Sequence, residues 1–290
     1  MDGASLAGTF RFLDRLRGLA PGRLLREPPS LGVASGKGGT GKTFTSVNLA
    51  VHLARELGRV QVFDADLGLG NSHMLLGLRP ERHVQHFLRG EVALDDLVLA
   101  TPQGIDLLPG GSGLSRLSQL ANEELRKLAR GLATLPGNRG CMVVDSAAGI
   151  SPQTMLFLRC CDLVLLVVHP ELSSLTDAYA LLKCLVLRRP AIRVLVLVNR
   201  VRDEAEGREA HGRIAEVADR FLRFPLHYLG SVPEDPVVRD ALVAKVPLLI
   251  ASPETPAARA LREAGERLAA MLRGLEPSRH GFRRRLLEQA

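Results

Sequence analysis

The residues with the clearest chemistry lie in one glycine-rich stretch near the start of the chain. That stretch reads Gly36-Lys37-Gly38-Gly39-Thr40-Gly41-Lys42-Thr43. Its spacing fits G-x-x-x-x-G-K-[ST], in which backbone N–H groups approach a phosphate because glycine has no Cβ to block them. In this pattern Lys42 neutralises the β- and γ-phosphates and the Thr43 hydroxyl holds Mg²⁺. A glycine-rich turn without a ligand is the alternative interpretation.

A phosphate-binding loop of this kind needs a strand before it and a helix after it. The apolar run from Leu31 to Ala34 predicts the strand, and the stretch from Gly41 to Leu57 is compatible with the helix. The amino end of such a helix adds partial positive charge beside the phosphates. The loop therefore stands in the context that predicts a nucleotide site.

Carboxylates follow two other predicted strands. Residues 59–63 lead to Asp64 and Asp66, and residues 141–144 lead to Asp145. Because the carboxyl ends of parallel strands form the ligand-binding edge of an open α/β sheet, we expect these side chains near the phosphates. One of them can orient the attacking water, and Asp145 can support Mg²⁺. For Asp66, a turn or helix-capping role is the alternative.

The bulk composition bounds the class of protein. The chain has 290 residues, of which 46% are hydrophobic and 24% charged, as is ordinary for a globular protein. No apolar run approaches the roughly 20 residues of a membrane span, and the N-terminal stretch lacks the apolar segment of a secretory signal. The four cysteines lie in apolar stretches without C-x-x-C spacing, which favours reduced core residues in a cytoplasmic protein.

The net charge of +7 is concentrated at the two ends of the chain. Residues 1–30 contain five arginines against three acidic residues, and residues 273–290 contain five arginines against two acidic residues. The ends therefore carry +5, which leaves +2 for the middle. Because a near-neutral middle is not typical of a nucleic-acid-binding protein, nucleic acid is not an expected partner.

Several segments resemble the ParA/MinD family of P-loop ATPases, which have a deviant Walker A loop. They are KGGTGKT from residue 37, DADLGLGN from residue 64, DSAAGI from residue 145 and GSVPEDPVVR from residue 230. TDAYALLK, from residue 176, is similar to the flagellar type of the family, FlhG or YlxH. The resemblance implies a doubly wound α/β fold with a mostly parallel sheet flanked by helices, and the alternation of predicted strands and helices points to the same fold.

The resemblance also implies roles for single residues, with ATP and Mg²⁺ as cofactors. Lys37 would reach across a dimer interface to the partner's nucleotide, although a solvated loop lysine is the alternative. Asp66 would be needed for hydrolysis, and Asp145 would begin a loop that moves with the γ-phosphate.

Two further segments resemble the part of the family's site that surrounds the base. Asn199, followed by Arg200, matches a base-contacting position at a strand end, where a simple turn is the alternative. The backbone at Pro233 and Glu234 would flank the base.

The ends are expected to lie outside an ATPase domain of residues 31–275. Residues 1–30 read as an appendage with apolar residues near helical spacing, either packed on the body or binding a partner or membrane. Residues 276–290 read as a basic amphipathic tail that can lie on an anionic membrane, with a solvated tail as the alternative. Its apolar face consists of Phe282, Leu286, Leu287 and Ala290.

Together these features predict an ATPase switch that controls flagellar number or placement. ATP would drive a homodimer, dimerisation would expose the C-terminal helix to the inner face of the cell membrane, and hydrolysis would return a cytoplasmic monomer. A FlhF-like GTPase and flagellar switch-complex proteins are the expected partners. The N-terminal stretch lacks the Asp-Gln-Ala motif that flagellar-type relatives often carry for a regulator.

Three other interpretations stay open. The first is a septum-site-determining ATPase of the MinD type, against which the TDAYALLK and SPETPAARA segments weigh. The second is a ParA-type segregation protein that binds DNA nonspecifically, which requires a basic stripe and salt-dependent affinity. The third is a nucleotide-binding scaffold without turnover.

Overall fold

The glycine-rich loop follows a strand in the interior of an eight-stranded sheet. The computed structural model describes residues 27–111, 120–137 and 140–289. The strands are β1 (Ser30–Ala34), β2 (Val60–Ala65), β3 (Leu99–Ala100), β4 (Ile105–Leu108), β5 (Cys141–Ser146), β6 (Leu163–Val168), β7 (Arg193–Val201) and β8 (His227–Pro233). They are hydrogen-bonded in the order β3-β4-β2-β5-β1-β6-β7-β8.

Neighbouring strands are parallel except for the pairing of β3 with β4. The predicted doubly wound, mostly parallel α/β fold is therefore confirmed. The composition of the strands explains the mostly parallel sheet. Strand β6, for example, is the continuous apolar run LVLLVV. Such a strand is stable where helices cover both faces of the sheet.

Helices lie between and beyond the strands. They are α1 (Lys42–Leu57), α2 (Ser72–Leu75), α3 (Val84–Leu88), α4 (Asn122–Thr134), α5 (Pro152–Cys160), α6 (Leu172–Arg188), α7 (Glu204–Leu222), α8 (Val237–Ala244), α9 (Leu248–Ala251), α10 (Pro256–Arg273) and α11 (Phe282–Gln289). Within the described ranges, no helix combines the length and hydrophobicity needed to cross a bilayer.

Two hydrophobic cores cover the two faces of the sheet. Helices α1 and α10 pack on one face, against side chains such as Val33 and Val62. Helices α4 to α7 and α11 pack on the other face, against their neighbours Ala34 and Phe63. The division follows from the strand geometry, because successive side chains point to opposite faces.

The C-terminal helix α11, which the sequence predicts as a basic amphipathic tail, is docked on the body in this structure. Phe282 and Leu286 of α11 are 1% and 0% exposed and belong to the core under α4 and α5. Arg283 is also buried, and its guanidinium donates to the carbonyl of Leu135 and to Oε1 of Gln61, both at 2.6 Å. A buried guanidinium needs such partners. These bonds therefore fix α11 against the body, and α11 packs as part of the same domain.

Glu27 connects the beginning of the described chain to the same helix. Its backbone N–H donates to the carbonyl of Ser278 at 2.9 Å, and Ser278 returns a bond of 3.2 Å. Its carboxylate accepts from the backbone N–H groups of Arg283 and Arg284, which lie in the first turn of α11. The predicted N-terminal helix falls in residues 1–26, outside the described residues.

Candidate functional site

The predicted chemistry gathers at the carboxyl edge of the sheet, where the glycine-rich loop joins β1 to α1. Gly41 caps α1 with φ of 85°, in the left-handed region that favours glycine. Gly36 packs closely on α6, and a Cβ added there would lie 2.2 Å from the carbonyl carbon of Asp177. These two glycines are therefore required by the geometry of the loop itself.

Lys42 lies at the centre of the site. It is 8% exposed, and its Nζ lies 2.7 Å from Asp145 Oδ1 and 3.4 Å from Thr43 Oγ1. The hydroxyl of Ser46, one turn further along α1, donates to the same Asp145 oxygen at 2.9 Å. Because a buried ammonium is stable only with a counter-ion, Asp145 holds Lys42 in this structure.

Asp64 lies beside Asp145, because β2 and β5 pair with these two residues in register. Asp64 is fully buried, and its Oδ2 accepts from the backbone N–H of Ser72 at 3.0 Å. The Ser72 hydroxyl donates to Asp145 Oδ2 at 3.2 Å. Burial, followed by the negative charge of Asp145, raises the pKa of Asp64 to about 7. Two adjacent carboxylates beside one lysine make this position attractive to a further cation.

Asp66 begins the loop after β2 and is half-buried. Its Oδ1 accepts from the backbone N–H of Leu69 at 3.0 Å, and its own N–H donates to Asp64 Oδ1 at 3.3 Å. The turn geometry of the alternative interpretation is therefore present. The carboxylate is nevertheless accessible at the edge of the site, and its part in hydrolysis stays a prediction.

Lys37 lies on the exposed side of the loop, with its side chain 32% exposed. Its Nζ is 3.0 Å from Glu171 Oε2 and 3.0 Å from Ser173 Oγ, both at the amino end of α6 in the same chain. The hydrogen bond from Lys37, and then its charge, lowers the pKa of Glu171. The contact with a partner's nucleotide stays a prediction, and Lys37 would have to leave these partners to make it.

Asn199, at the end of β7, contacts the loop directly. It is 5% exposed, and its Nδ2 donates to the carbonyl of Thr40 at 2.9 Å. A Cβ added to Gly41 would meet this Nδ2 at 2.3 Å, so β7 and the loop fit tightly together. In this structure Asn199 braces the loop, and its contact with a base stays a prediction.

The other predicted base-flanking residues form the outer rim of the site. Arg200 has φ of 60°, and its Nη2 lies 2.7 Å from Glu234 Oε1 in an exposed ion pair. Pro233 ends β8 and lies opposite Val201 of β7. The structure therefore brings Arg200, Pro233 and Glu234 together around Asn199.

Comparison with known proteins shows which family has this arrangement. Residues 31–248 match the model of the CobQ/CobB/MinD/ParA nucleotide binding domain. The chain is a member of this family. The predictions of a MinD/ParA-type P-loop ATPase and of ATP and Mg²⁺ as its cofactors are thereby confirmed.

Relatives within the MinD/ParA family include flagellar proteins. The antiactivator FleN of Pseudomonas aeruginosa is 38% identical over 238 residues, which are 82% of this chain and 85% of FleN. The flagellum site-determining protein YlxH of Helicobacter pylori is 34% identical over 203 residues, 70% of this chain and 68% of YlxH. The septum site-determining protein MinD of Pyrococcus horikoshii, solved with Mg-ADP, has a TM-score of 0.69 at 26% identity and covers 84% of this chain and 98% of that one.

Side chains of this MinD/ParA site fit a phosphate and a magnesium ion. The Oγ1 of Thr40 is buried without a hydrogen-bond partner among the described residues, although buried hydroxyls are normally paired. Apart from the adjoining residues of the loop, no atom of the described chain lies within 4 Å of a Cβ added at Gly38 or Gly39, so the loop has open space there. Thr43 and Asp145 offer the hard oxygen ligands that Mg²⁺ prefers.

The MinD/ParA site also includes residues that the motifs did not single out. Ser46 stands four residues after Lys42, so helical periodicity places both on one face of α1 and was a usable signal. Asp64 was expected near the phosphates together with Asp66, but its complete burial beside Asp145 follows from the pairing of β2 with β5. Ser72 had no local signal, because its partner Asp145 is 73 residues away.

Proposed function

We propose that this ATPase is a switch in which ATP drives a homodimer and the dimer controls flagellar number or placement. The observation that carries the proposal is the position of Lys37. Its side chain is 32% exposed, whereas Lys42, five residues later, is buried in the loop. Lys42 serves the phosphate site of its own chain, and Lys37 remains available to the nucleotide of a second copy.

Exposed apolar side chains around the same edge support a dimer surface there. Leu69 follows β2, Ile150 follows β5 and Leu172 begins α6, and they are 67%, 52% and 75% exposed. Large apolar side chains exposed in one region often mark a protein interface. Each contributes on the order of 1–2 kcal/mol when a partner covers it.

Different residues of one chain bind ATP and take part in its hydrolysis. Lys42 and the loop N–H groups bind the phosphates, and Asn199 keeps the loop in place. Thr43 and Asp145 would hold Mg²⁺, which neutralises phosphate charge when bound. Asp66 orients the attacking water. Hydrolysis of this kind depends mainly on positioning and charge, so a small displacement of these groups is enough to control it.

We further propose that the dimer acts at the inner face of the cell membrane through α11. The helix combines Phe282 and Leu286 with three consecutive arginines, Arg283–Arg285, a composition that suits an anionic surface. Since both apolar side chains are buried on the body, membrane binding requires α11 to leave it. One short helix binds weakly, and two in a dimer gain avidity.

The flagellar part of the proposal is supported by the similarity to FleN and YlxH, an antiactivator and a flagellum site-determining protein by name. A FlhF-like GTPase and flagellar switch-complex proteins are the proposed partners. A septum-site role is the second candidate, supported by the similarity to a septum site-determining MinD. Deletion of the gene separates the two, because flagella per cell change in the first case and division-site position in the second.

Light scattering coupled to size-exclusion chromatography tests the switch directly. With a non-hydrolysable ATP analogue and Mg²⁺ we expect a dimer, and with ADP a monomer. A monomer under both conditions would reject the proposal. Pelleting with anionic vesicles tests the membrane step, and a chain truncated after Pro277 should bind them less. Equal pelleting of the truncated and full-length chains would rule out α11 as the anchor.

A further inference from the structure

A cavity of about 410 Å³ lies at the opposite edge of the sheet from the nucleotide site. Its lining residues are Arg159, Arg188, Arg189 and Gln289. These residues stand at the carboxyl ends of α5, α6 and α11. The partial negative charge at the carboxyl end of a helix explains a single arginine there. This helix-end effect does not explain why three arginines line the same cavity.

Some of the arginines in this region have structural roles that are already fulfilled. Arg189 Nη1 donates to the carbonyl oxygens of Arg159 and Cys161, and Arg285 Nε donates to the carbonyl of Cys160 at 2.7 Å. These bonds satisfy the last carbonyl groups of α5, which have no partner within the helix. Arg189 and Arg285 therefore stabilise the backbone that forms one side of the cavity.

No carboxylate among the described residues forms an ion pair with the arginines of the cavity. Asp162 is the nearby acid, and its two oxygens already bind Arg285 Nη2 at 2.6 Å and Ser30 Oγ at 2.6 Å. Burial, followed by the charge of Arg285, lowers the pKa of Arg189, as expected where cations are crowded.

Two of the cavity arginines have donors left for a ligand. Within the described part of the chain the guanidinium of Arg159 donates no hydrogen bond; its Nε is buried, so its two Nη groups are the donors that can reach a ligand. Arg188 donates from Nη1 to the carbonyl of Cys184 in its own helix at 3.2 Å, and its side chain is exposed. A buried N–H without a partner is costly. The planar fork of a guanidinium matches the oxygens of a phosphate.

We propose that this cavity is an anion site that takes a phosphate group, bound by Arg159 and Arg188 while Arg189 stabilises the backbone on one side of it. The group is either the headgroup phosphate of an anionic lipid or free phosphate in solution. Leu187, next to Arg188, is 67% exposed, and the two arginines that bind the phosphate belong to α5 and α6, which stay on the body when α11 leaves it. The lipid source rests on the proposed membrane association, whereas the free-phosphate source does not.

Titration calorimetry with inorganic phosphate tests the free source. The full-length chain is first saturated with Mg²⁺ and a non-hydrolysable ATP analogue, so that every phosphate position of the glycine-rich loop is filled and does not contribute. We compare the wild type with Arg188→Gln, and with the pair Arg159→Gln and Arg188→Gln. Each lost charge-assisted bond should weaken phosphate binding by roughly tenfold. Because Arg188 is exposed, the single variant keeps its fold even if the pair does not.

Vesicle pelleting tests the lipid source. Vesicles of phosphatidylcholine with phosphatidylglycerol are compared with phosphatidylcholine alone, in the presence of a non-hydrolysable ATP analogue. We expect Arg188→Gln to reduce binding to the anionic vesicles by about fivefold, the effect of about one basic residue near the surface. The matched control is Arg220→Gln, since Arg220 is exposed at the end of α7 and does not line the cavity.

The outcomes separate this proposal from the proposed function. The site is supported if the cavity variants lose binding in either assay while Arg220→Gln does not. The assay in which binding is lost identifies the source of the phosphate group. If the wild type binds phosphate but no vesicles, the anion site stands and the membrane association fails. The anion site is overturned if the wild type binds neither probe, if the cavity variants match the wild type in both assays, or if Arg220→Gln loses as much as they do.

Discussion

Lys37 Nζ and Glu171 Oε2 lie 3.0 Å apart within one chain, at the edge of the nucleotide site. Glu171 is the residue before α6, so this ion pair joins the glycine-rich loop to the helix that follows β6. Both side chains are partly exposed, and such a pair contributes little to stability because water and salt screen it. A second copy that offers Lys37 a phosphate can therefore displace Glu171 at little cost.

Glu171→Gln should consequently favour the dimer, because it weakens the hold on Lys37. Near the midpoint of dimerisation with a non-hydrolysable ATP analogue, we expect the association constant to rise about two- to fivefold. Light scattering measures it. Glu209→Gln is the control, since it weakens an exposed ion pair with Arg213 on α7, and it should leave dimerisation unchanged. An unaltered constant in Glu171→Gln would show that the intrachain pair does not restrain Lys37.

The two lysines of the loop should separate nucleotide binding from dimerisation. Lys42→Ala removes the buried ammonium between Asp145 and the phosphates, so calorimetry should detect no ATP binding while circular dichroism confirms the fold. Lys37→Ala should bind ATP with an affinity within about threefold of the wild type and remain monomeric. Undiminished affinity in Lys42→Ala would contradict the assignment of the phosphate site, and a dimer of Lys37→Ala would contradict the role of Lys37.

Asp66→Ala should separate ATP binding from hydrolysis. Without a carboxylate to orient water, phosphate release should slow by roughly a hundredfold, and the ATP-bound dimer should accumulate. A phosphate-release assay and light scattering measure the two effects. Asp96→Ala serves as a control because Asp96 also accepts a backbone N–H in an exposed turn, outside the site. Phosphate release at the wild-type rate in Asp66→Ala would leave Asp66 with its turn role alone.

Gln61→Leu should loosen α11 without altering its sequence. The substitution removes one acceptor from the buried Arg283, at a cost of about 1–3 kcal/mol to the docked helix. Hydrogen exchange of the α11 amides should accelerate, and binding to anionic vesicles should increase. The control Glu288→Gln breaks an ion pair with Arg284 on the outer face of the same helix and should change neither. Exchange at the wild-type rate would mean that this bond does not hold α11.

Acid should destabilise the protein through its histidines. Burial is the main cause that lowers the pKa of each of five of them, which are His52, His73, His83, His169 and His211. The folded state then binds fewer protons than the unfolded state below the ordinary histidine pKa. The stability that the neutral rings contribute is therefore complete above about pH 6.5 and is lost as the pH falls.

His52 provides the sharpest test of this pH dependence, because it is 6% exposed and its Nε2 has no hydrogen-bond partner in the described residues. Between about pH 7 and about pH 5, urea unfolding of His52→Gln should show a smaller loss of stability than the wild type. His227→Gln, at an exposed position on β8, should follow the wild-type curve. Parallel curves for His52→Gln and the wild type would show that His52 does not carry this effect.

Much of the fold was predictable from the sequence because its signals are local. The apolar run before the loop and the loop from Gly36 to Thr43 each specify their conformation within a few residues, and the strand predicted over Leu31–Ala34 is observed as Ser30–Ala34. The strand before Asp145 was predicted to end at Val144, yet β5 continues to Ser146. Its length depends on hydrogen bonds to β2, which a local pattern does not contain.

The sequence by itself determined the phosphate loop, the order of strands and helices, and the family. Only the tertiary structure decided what those residues contact. Lys42 meets Asp145 across 103 residues, and Arg283 meets Gln61 across 222. Three arginines from two helices line one cavity. The physical reason is that propensity and periodicity act within one element, whereas burial and pairing of charge arise only after separate elements have packed. For the same reason a basic amphipathic tail was evident in the sequence, but its docking on the body was not.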